Sequence, residues 1–486
     1  MLKVEPGPAH ALYGVSETRA IEVSAQASLA PHTLMQRAGL AVAQLALALA
    51  PHARHIWVAC GPGNNGGDGM LAALHLHQWG KRVTLTWLGE VASAPNDTIH
   101  AYQQVCAAGL KPSLEPPDAV DLCVDALLGI GRQTREPTGR MAQWMHVVNT
   151  CGSAVLSVDV PSGLDANTGV CTPLHVRASH TLSLLTLKPG LFTEHGREAS
   201  GTIWLDTLGI DCDAQRHPAP TARLISAPVP HSRSHDSHKG SYGDVAVVGG
   251  AAGTTGAALL AGSAALYAGA GRVFVCMLDP HYTPAGGLQT ELMLRSIDAL
   301  NVASMSVVCG CGGGRDIAAH LSMLFDTSAQ LVIDADAINE IAVSPALQSL
   351  LLARTAAGSP TVLTPHPLEA ARLLGTTTAD VQAHRLAAAR SLSERFHCTV
   401  VLKGSGTIIV SPGQTTAINA TGNARLATAG TGDVLAGIVG ARLACGMDAF
   451  RAACSAVYQH GQLADEWPAN LTLTASHLAH QVTSVG

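Results

Sequence analysis

The segment NATGNARLATAGTGDVLAG, residues 419–437, combines a run of small residues with the start of a helical pattern. Because Ala429–Asp433 has almost no side-chain bulk, its backbone N–H groups can approach a ligand closely. We expect these groups at the start of a helix over Val434–Leu443, where unpaired donors and the helix dipole favour an anion. With the carboxylate of Asp433 beside them, the pattern predicts a phosphoryl-transfer site. An ordinary glycine turn with Asp433 in the first helical turn explains the pentapeptide equally well.

The composition is typical of an α/β protein with several domains. The chain has 486 residues, of which 47% are hydrophobic and only 13% are charged, and it contains 49 glycines. Such a chain is long enough for two or more domains of roughly 100–200 residues, with helices packed on parallel sheets. The net charge of −6 gives no indication of a nucleic-acid or membrane partner. The low charge also predicts a homo-oligomer.

The twelve cysteines predict a reduced, cytoplasmic protein. None of them forms a CxxC pair, so neither a disulfide framework nor a zinc site is indicated. The first residues lack the basic and apolar regions of a signal peptide. The apolar run Leu40–Ala50 is too short to cross a bilayer.

The first half of the chain contains a pattern of strand, glycine loop and helix. His55–Cys60 is a predicted strand, GPGNNGGDG at residues 61–69 a loop, and Met70–Trp79 a helix. Five glycines and two asparagines are more than a tight turn requires. We therefore interpret this segment as a ligand-binding loop, although it matches neither GxGxxG nor a P-loop.

Two further predicted strands end in aspartates, Asp125 and Asp159. The carboxyl ends of neighbouring parallel strands meet in one crevice, so we expect these residues to lie near Asn65 and Ser162. Carboxylate, amide and hydroxyl oxygens together suit a hard cation. Either aspartate alone is also compatible with a helix cap or a turn.

The motifs GPGNNGGDG, VDALLG and SVDVPSGLDANTG, within residues 10–210, resemble the NAD(P)H-hydrate epimerase domain. The resemblance implies a Rossmann-like three-layer fold that interconverts the R and S hydrates of NADH and NADPH, with K⁺ at Asn65, Asp125 and Ser162. Asp159 is the candidate acid/base, because it ends a strand that faces the dinucleotide loop. The implied hydrate-binding residues are Asn64, Asn65, Gly66, Gly67, Asp68, Gly129, Ile130, Gly131, Arg132, Gln133, Thr134, Arg135 and Asp159.

A change of composition predicts a domain boundary. Over Asp211–His238, proline, serine and polar residues replace the apolar periodicity. We therefore predict a first domain over residues 1–222 and a second over residues 223–486.

In the second half, predicted strands again end in polar residues, among them Asp336, His366 and Lys403. Each has a simpler explanation: a helix cap, a loop brace, and a surface lysine before a hairpin turn. Together with the glycine loop before Asp433 they form a phosphate-handling set at one edge of a second parallel sheet.

The motifs HKGSYG, DADAIN, LTPHPLEAARLLG and VLKGSGT, with residues 419–437, resemble ADP/ATP-dependent NAD(P)H-hydrate dehydratase. The resemblance implies a ribokinase-like αβα fold that dehydrates the S hydrate with ADP, or ATP, and Mg²⁺. The loop CGCGGG at residues 309–314 departs from the expected GPGLG. The implied hydrate contacts are Ala257, Gly312, His366 and Asp433. The implied contacts to the AMP part of the nucleotide are Lys403, Gly404, Ser405, Gly406, Thr407 and Gly432.

The two domains in this order resemble the bifunctional NAD(P)H-hydrate repair enzymes, which are both isomerases and lyases. We predict that Asp433 takes the proton of the ring hydroxyl, which then attacks the terminal phosphoryl group of ADP. The expected substrates are NADHX, NADPHX and ADP, and the products AMP and phosphate. The alternative is a ribokinase-like small-alcohol kinase fused to a non-catalytic dinucleotide-binding module.

Overall fold

The chain forms two compact α/β units. The computed structural model describes residues 1–131, 136–211, 218–229, 234–283 and 289–484. The first unit comprises Met1–Glu5 and His10–Ala222, and the second Pro6–Ala9 and Arg223–Gly486. Both sheets are predominantly parallel, which confirms the α/β prediction. Within the described residues, no helix is long and apolar enough to cross a membrane.

The first unit is built on a seven-stranded sheet. Its strands are β1 (Leu2–Lys3), β3 (His55–Cys60), β4 (Arg82–Trp87), β5 (Leu122–Ala126), β6 (Ala154–Val158), β7 (His180–Leu184) and β8 (Thr202–Asp206). The unit also contains the short strand β2 (Ala11–Leu12), which is not part of this sheet. The helices are α1 (Val15–Gln26), α2 (Thr33–Leu49), α3 (Asn64–Gln78), α4 (Asn96–Ala107), α5 (Gly139–Thr150) and α6 (Gly196–Ala199). The order is β1-β8-β7-β6-β5-β3-β4, and all pairs are parallel except β1 with β8.

Both faces of this sheet are covered, so its central strands are apolar throughout. On one face, Val58 and Val124 belong to a buried cluster with Met70 of α3. On the other, Trp57 packs edge to face against Trp144 of α5, with ring centroids 6.5 Å apart. The unit therefore has the three layers that the sequence predicted.

Helix α3 begins at Asn64, six residues before the predicted start, so most of the glycine segment is helical and the predicted loop was too long. The glycines allow close packing. A Cβ atom on Gly66 would lie 2.0 Å from the carbonyl oxygen of Gly61, and one on Gly69 would lie 2.5 Å from Cβ of Ala126. Glycine is unfavourable in the interior of a helix, but here it lets the backbone of α3 pack directly against neighbouring segments.

The second unit contains a longer sheet. Its strands are β9 (Ala222–Leu224), β10 (Asp244–Gly249), β11 (Arg272–Met277), β12 (Met293–Leu294), β13 (Ser306–Cys309), β14 (Gln330–Ile333), β15 (Thr361–Leu363), β16 (Thr399–Leu402), β17 (Ile408–Val410) and β18 (Ala417–Ile418). They follow the order β12-β11-β10-β13-β14-β15-β16-β17-β18-β9. Pairing is parallel from β12 to β16 and between β18 and β9, while β17 is antiparallel to both of its neighbours.

Ten helices of this unit connect and cover the strands. They are α7 (Thr255–Tyr267), α8 (Ala318–Thr327), α9 (Ala335–Val343), α10 (Pro345–Ala356), α11 (Pro367–Leu374), α12 (Thr378–Ala383), α13 (Arg385–Phe396), α14 (Thr431–Ala444), α15 (Ala449–Asp465) and α16 (Ala475–Gln481), within the described residues.

Helix α14 starts at Thr431, three residues before the predicted start, and its N-cap Gly430 has φ +91°. A left-handed backbone of this kind favours glycine. The small residues further along let α14 pack closely against both α7 and the sheet. A Cβ atom on Gly437 would be 2.1 Å from the carbonyl oxygen of Ala261, and one on Gly440 would be 2.4 Å from Cγ2 of Val308. The packing fixes the first turn of α14, and Asp433 with it.

Candidate active sites

The first unit contains a cavity of about 970 Å³ beside the carboxyl ends of β3, β5 and β6. Its wall includes both polar residues predicted for the hydrate site and apolar side chains such as Met35 and Leu185. The predicted residues that line it are Asn64, Asn65, Asp68, Gly129, Ile130, Gly131 and Asp159. Gly66 and Gly67 are buried in the first turns of α3, and Arg132, Gln133, Thr134 and Arg135 lie outside the described residues.

Asp159 is held by a lysine that the sequence reasoning did not single out. Lys188 is fully buried and its Nζ donates hydrogen bonds to Asp159 Oδ1, to the Leu184 carbonyl oxygen at 2.8 Å and to Ser183 Oγ at 3.3 Å. Asp159 has φ +69°, a left-handed conformation that is strained for a residue with a side chain. The available signal was the position of Lys188, four residues after the end of β7 at the same sheet edge.

Three further acids face Asp159. Burial, followed by the charges of Asp159, Glu22 and Asp97, raises the pKa of Asp68 well above its usual value. Burial also raises the pKa of Glu22, and the charge of Asp159 adds to the increase. Asp97 has a partner of its own, because its carboxylate lies 2.5 Å from His32 Nδ1. The cavity therefore places several carboxyl groups near one buried ammonium group, and they cannot all be ionised at low cost.

Asp125 and Ser162 lie beneath the cavity floor and are fully buried. Ser162 Oγ donates to Asp125 Oδ1 at 2.6 Å, Ser162 N donates to Oδ2 at 3.0 Å, and Ser157 Oγ donates to Oδ2 at 2.8 Å. Burial raises the pKa of Asp125, and these hydrogen bonds oppose the increase. Asn65 Nδ2 is buried and has no hydrogen-bond partner in the described part of the chain.

In the second unit, Asp433 lies in the first turn of α14 beside a thiol and a second carboxylate. One ligand-type atom from each of Cys311, Asp334 and Asp433 lies within 4.8 Å of the others. Burial and then the charge of Asp334 raise the pKa of Asp433 to about 6, while the Cys311 hydrogen bond and Lys403 oppose the increase. Asp433 therefore changes protonation state close to neutral pH.

Lys403 joins this group from the end of β16. Its Nζ donates to Asp334 Oδ1 at 2.6 Å, and that oxygen also accepts from Thr364 Oγ1 at 2.7 Å. Burial disfavours the charge of Lys403, but the carboxylates of Asp334 and Glu369 outweigh it and raise the pKa. A Cβ atom on Gly432 would lie 3.5 Å from Lys403 Nζ, so the ammonium group stands at the N-terminus of α14.

The segment that follows Lys403 is the hairpin turn between β16 and β17, the simpler of the two interpretations offered by the sequence. Gly404 has φ +133°, and a Cβ atom there would lie 2.7 Å from Nη1 of the buried Arg385. Thr407 Oγ1 donates to the Gly404 carbonyl oxygen at 3.1 Å. In the same turn, Ser405 is exposed and Gly406 is buried.

His366 is the N-cap of α11. Its Nδ1 accepts from Leu368 N at 3.1 Å, and its backbone N donates to Glu369 Oε2 at 2.8 Å. Burial and the charge of Lys403 lower the pKa of His366. Burial also raises the pKa of Glu369 to about 7, with Lys403 opposing and Asp334 adding to the shift.

Gly312 and Ala257 lie side by side in the second unit. A Cβ atom on Gly312 would lie 2.8 Å from Cβ of Ala257, and the Gly312 carbonyl oxygen accepts from Thr254 Oγ1 at 2.8 Å. Asp336 Oδ2 accepts from Gly314 N at 2.9 Å, so Asp336 braces the glycine loop.

Comparison with known proteins covers both units. A family model described as NAD(P)H-hydrate dehydratase matches residues 245–484, and one described as YjeF-related protein N-terminus matches residues 31–190. The bifunctional NAD(P)H-hydrate repair enzyme of Escherichia coli is 35% identical over 448 residues, which cover 89% of this chain and 85% of that protein. This chain belongs to the family of bifunctional NAD(P)H-hydrate repair enzymes. The corresponding protein of Coxiella burnetii is 34% identical, covering 93% of this chain and 94% of its own.

Proteins named only as dehydratases match about half of the chain. The ADP-dependent (S)-NAD(P)H-hydrate dehydratase of Neisseria meningitidis is 43% identical over 260 residues, covering 52% of this chain and 86% of that protein. A solved ADP/ATP-dependent NAD(P)H-hydrate dehydratase from Bacillus subtilis, co-crystallised with ATP and Mg²⁺, is 26% identical and covers 52% of this chain and 91% of its own, with a TM-score of 0.39. Because bifunctional repair enzymes cover both halves of the chain, two enzymatic domains are favoured over a kinase fused to a binding module.

Proposed function

We propose that the first unit interconverts the R and S hydrates of NADH and NADPH, and that the second unit dehydrates the S hydrate with ADP. The observation that carries this proposal is the position of Asp433. Its carboxyl group, with a pKa of about 6, stands in the first turn of α14, and the ammonium group of Lys403 stands beside the same turn. An anion-binding helix end next to a base is the arrangement that phosphoryl transfer to a hydroxyl group requires.

In the dehydration step, Asp433 takes the proton of the ring hydroxyl group. The hydroxyl oxygen then attacks the terminal phosphoryl group of ADP, and AMP leaves. The backbone N–H groups of Gly430–Gly432 stabilise the transferring group. Mg²⁺ bound with the nucleotide supplies charge neutralisation at the phosphates. Loss of phosphate, together with a proton from the neighbouring ring carbon, forms the C=C bond and restores the dihydronicotinamide ring, because phosphate is a better leaving group than hydroxide.

We propose that the nucleotide and the hydrate bind in the second unit at the residues that the sequence predicted. We propose that the hairpin turn Lys403–Thr407 and Gly432 hold the AMP part of the nucleotide. The wall formed by Gly312 and Ala257, together with His366 and Asp433, contacts the hydrate. The contact between Gly312 and Ala257 supports a shared surface, since neither position leaves room for a larger side chain without displacing the other.

In the first unit, the hydrate occupies the cavity lined by Asn64, Asn65, Asp68 and Gly129–Gly131, with Asp159 as the acid/base. We further propose K⁺ at Asn65, Asp125 and Ser162. The chemistry of these residues fits a hard cation. Asn65 Nδ2 is buried without a hydrogen-bond partner among the described residues, and a flip of this amide would put its oxygen, a cation ligand, at that position. The hydroxyl groups of Ser157 and Ser162 can rotate to free lone pairs of Asp125. The ion would supply a fixed positive charge under the dinucleotide loop.

The test is to incubate the protein with the separated hydrates of NADH and to follow the return of the dihydronicotinamide absorbance. We expect the absorbance to return only when ADP or ATP is present. Asp433→Asn should reduce this rate by about a thousandfold while nucleotide binding persists, because the amide retains the shape of the carboxylate but cannot act as a base.

Asp448→Asn is the matched control. Asp448 caps α15 in the same unit, and asparagine is an equally good N-cap, so this variant should dehydrate at the parent rate. Near-parent turnover by Asp433→Asn would reject the role of Asp433. Accumulation of a stable phosphorylated product would instead support a small-alcohol kinase.

A further inference from the structure

We infer that the epimerase site divides its acid and base between two carboxyl groups: Asp68 is the general acid, and Asp159, positioned by Lys188, is the general base. The inference rests on the proposed epimerase function and deepens it by adding a second catalytic residue. Both carboxyl groups belong to the wall of one cavity, and both lie at the same edge of the sheet, Asp68 on α3 after β3 and Asp159 directly after β6, with β5 between these two strands.

The surroundings of Asp159 are those of an ionised base. The Lys188 ammonium group is fully buried, so its charge is balanced by the carboxylate that it contacts. Leu184 N also donates to Asp159 Oδ1, at 3.3 Å. These donors all act on one oxygen, which leaves Oδ2 of Asp159 for a ligand. Lys188 touches only Asp159 and β7 atoms in these contacts, and is therefore a positioning residue.

Asp68 is in the opposite situation. Within the described residues, no hydrogen bond from the protein reaches its carboxyl group, and the charged groups that face it are acids: Asp159, Glu22 and Asp97. The Cys60 thiol is the remaining titratable neighbour, and burial keeps it protonated by raising its pKa. Burial and like charges favour the neutral form of Asp68, so its side chain carries a proton that it can donate. Two carboxyl groups whose environments push their protonation apart provide an acid and a base at the same pH.

The chemistry of the substrate requires both groups. The R and S hydrates differ at the hydroxylated ring carbon, which is bonded to the ring nitrogen. Asp68 donates its proton to the hydroxyl group, the C–O bond breaks, and water leaves as the nitrogen lone pair forms a C=N bond. A water molecule then adds to the opposite face, forming the new C–O bond and giving its proton to Asp159. Transfer of that proton through water in the cavity returns Asp68 to its starting state, so neither an oxidant nor a cofactor is consumed.

The experiment follows the approach of the pure S hydrate of NADH to the mixture of epimers, in the absence of nucleotide so that dehydration cannot occur. We expect Asp68→Asn to slow epimerisation by about a hundredfold or more, the usual contribution of a general acid. Glu115→Gln and Asp118→Asn are the matched controls, because they remove exposed acids of the first unit that do not belong to the cavity wall. Both should epimerise at close to the parent rate.

Three readouts separate a catalytic from a structural role. The parent rate should fall as the pH rises through the pKa of Asp68, and this basic limb should be absent from the residual activity of Asp68→Asn. In isotopically labelled water, parent enzyme should incorporate the label at the rate of epimerisation. Asp68→Asn should retain dehydration of the S hydrate with ADP, which verifies that the chain is folded.

The outcomes distinguish the inference from the function on which it rests. If the parent chain does not epimerise at all, the proposed function of the first unit fails. If the parent epimerises and Asp68→Asn does so at the same rate, or Glu22→Gln loses activity in its place, only the assignment of Asp68 is overturned. Epimerisation without incorporation of the label would overturn cleavage of the C–O bond.

Discussion

The two units place their key aspartates in different structural and electrostatic settings, because Asp159 directly follows β6, whereas Asp433 lies in the first turn of α14. In the first unit, the only lysine of the cavity wall, among the described residues, pairs directly with Asp159. In the second unit, Lys403 forms its ion pair with Asp334, and Asp433 lies beside this pair. Direct pairing places a buried cation against the Asp159 carboxylate, whereas Asp433 lies beside the ion pair and has a pKa of about 6. The two units therefore surround their key carboxyl groups with charge in different ways.

The largest expected effect separates the two units. Asp159→Asn should lower the rate of epimerisation by about a hundredfold or more, because the amide cannot accept the proton. Dehydration of the S hydrate by the second unit should be unchanged. The measurement is consumption of an equal mixture of R and S hydrates with excess ADP, which should stop near half completion apart from spontaneous epimerisation. Complete consumption at the parent rate would contradict the role of Asp159.

A pH profile tests whether Asp433 titrates as its surroundings predict. A carboxyl group is protonated below its pKa and cannot then act as a base. The dehydration rate should therefore be constant above pH about 7 and fall by about tenfold per pH unit below the pKa of about 6. The removal of Cys311, whose hydrogen bond lowers the pKa of Asp433, should move this acid limb to higher pH. Cys311→Ala tests this directly.

Two substitutions serve as controls for Cys311→Ala. Cys311→Ser keeps a hydrogen-bond donor and should return the acid limb toward the parent position. Cys309→Ala removes a buried thiol two residues away in β13 and should leave the limb in place. An unshifted limb in Cys311→Ala, or an equal shift in Cys309→Ala, would mean that the thiol does not act on Asp433.

The smallest expected effect concerns K⁺ and only the first unit. Replacing K⁺ with a bulky organic cation should lower the melting temperature of this unit by a few degrees, because an ion that binds the folded state stabilises it. Asn65→Ala should be insensitive to the exchange, and the epimerisation rate should follow the same pattern. Equal responses of parent and variant would argue against an ion at Asn65.

Much of both sites was predictable because parallel sheets collect polar residues at their carboxyl ends. Asp159 and Lys403 were identified in this way, from strand patterns and the residues that follow them, and Asp433 from the small residues before a predicted helix. The partners were not predictable. Lys188 reaches Asp159, and Asp334 reaches Lys403, between segments that are 29 and 69 residues apart in sequence. Such pairings depend on strand order and register, which local patterns do not encode.

The misplaced start of α3 has a related cause. Local propensity argues against a helix through Gly66, Gly67 and Gly69, since glycine costs about 1 kcal/mol relative to alanine in a helix. The compensating term is tertiary, because these positions touch the Gly61 carbonyl, Met35 and Ala126, which are distant in sequence or on other elements. The glycine-rich composition correctly indicated an unusual segment, but the role of these glycines in packing could be recognised only from the structure.

The glycines of α3 also determine how the first unit could change its substrate range. One wall of the cavity is a helix whose backbone is in contact with its neighbours, so a side chain introduced at Gly66 or Gly67 would displace the helix before it could reshape the cavity. The opposite wall consists of replaceable side chains, including Leu184, Leu185 and Leu208. Adaptation to a different dinucleotide, in evolution or in the laboratory, would therefore require substitution of these leucines, while the glycines of α3 would be retained.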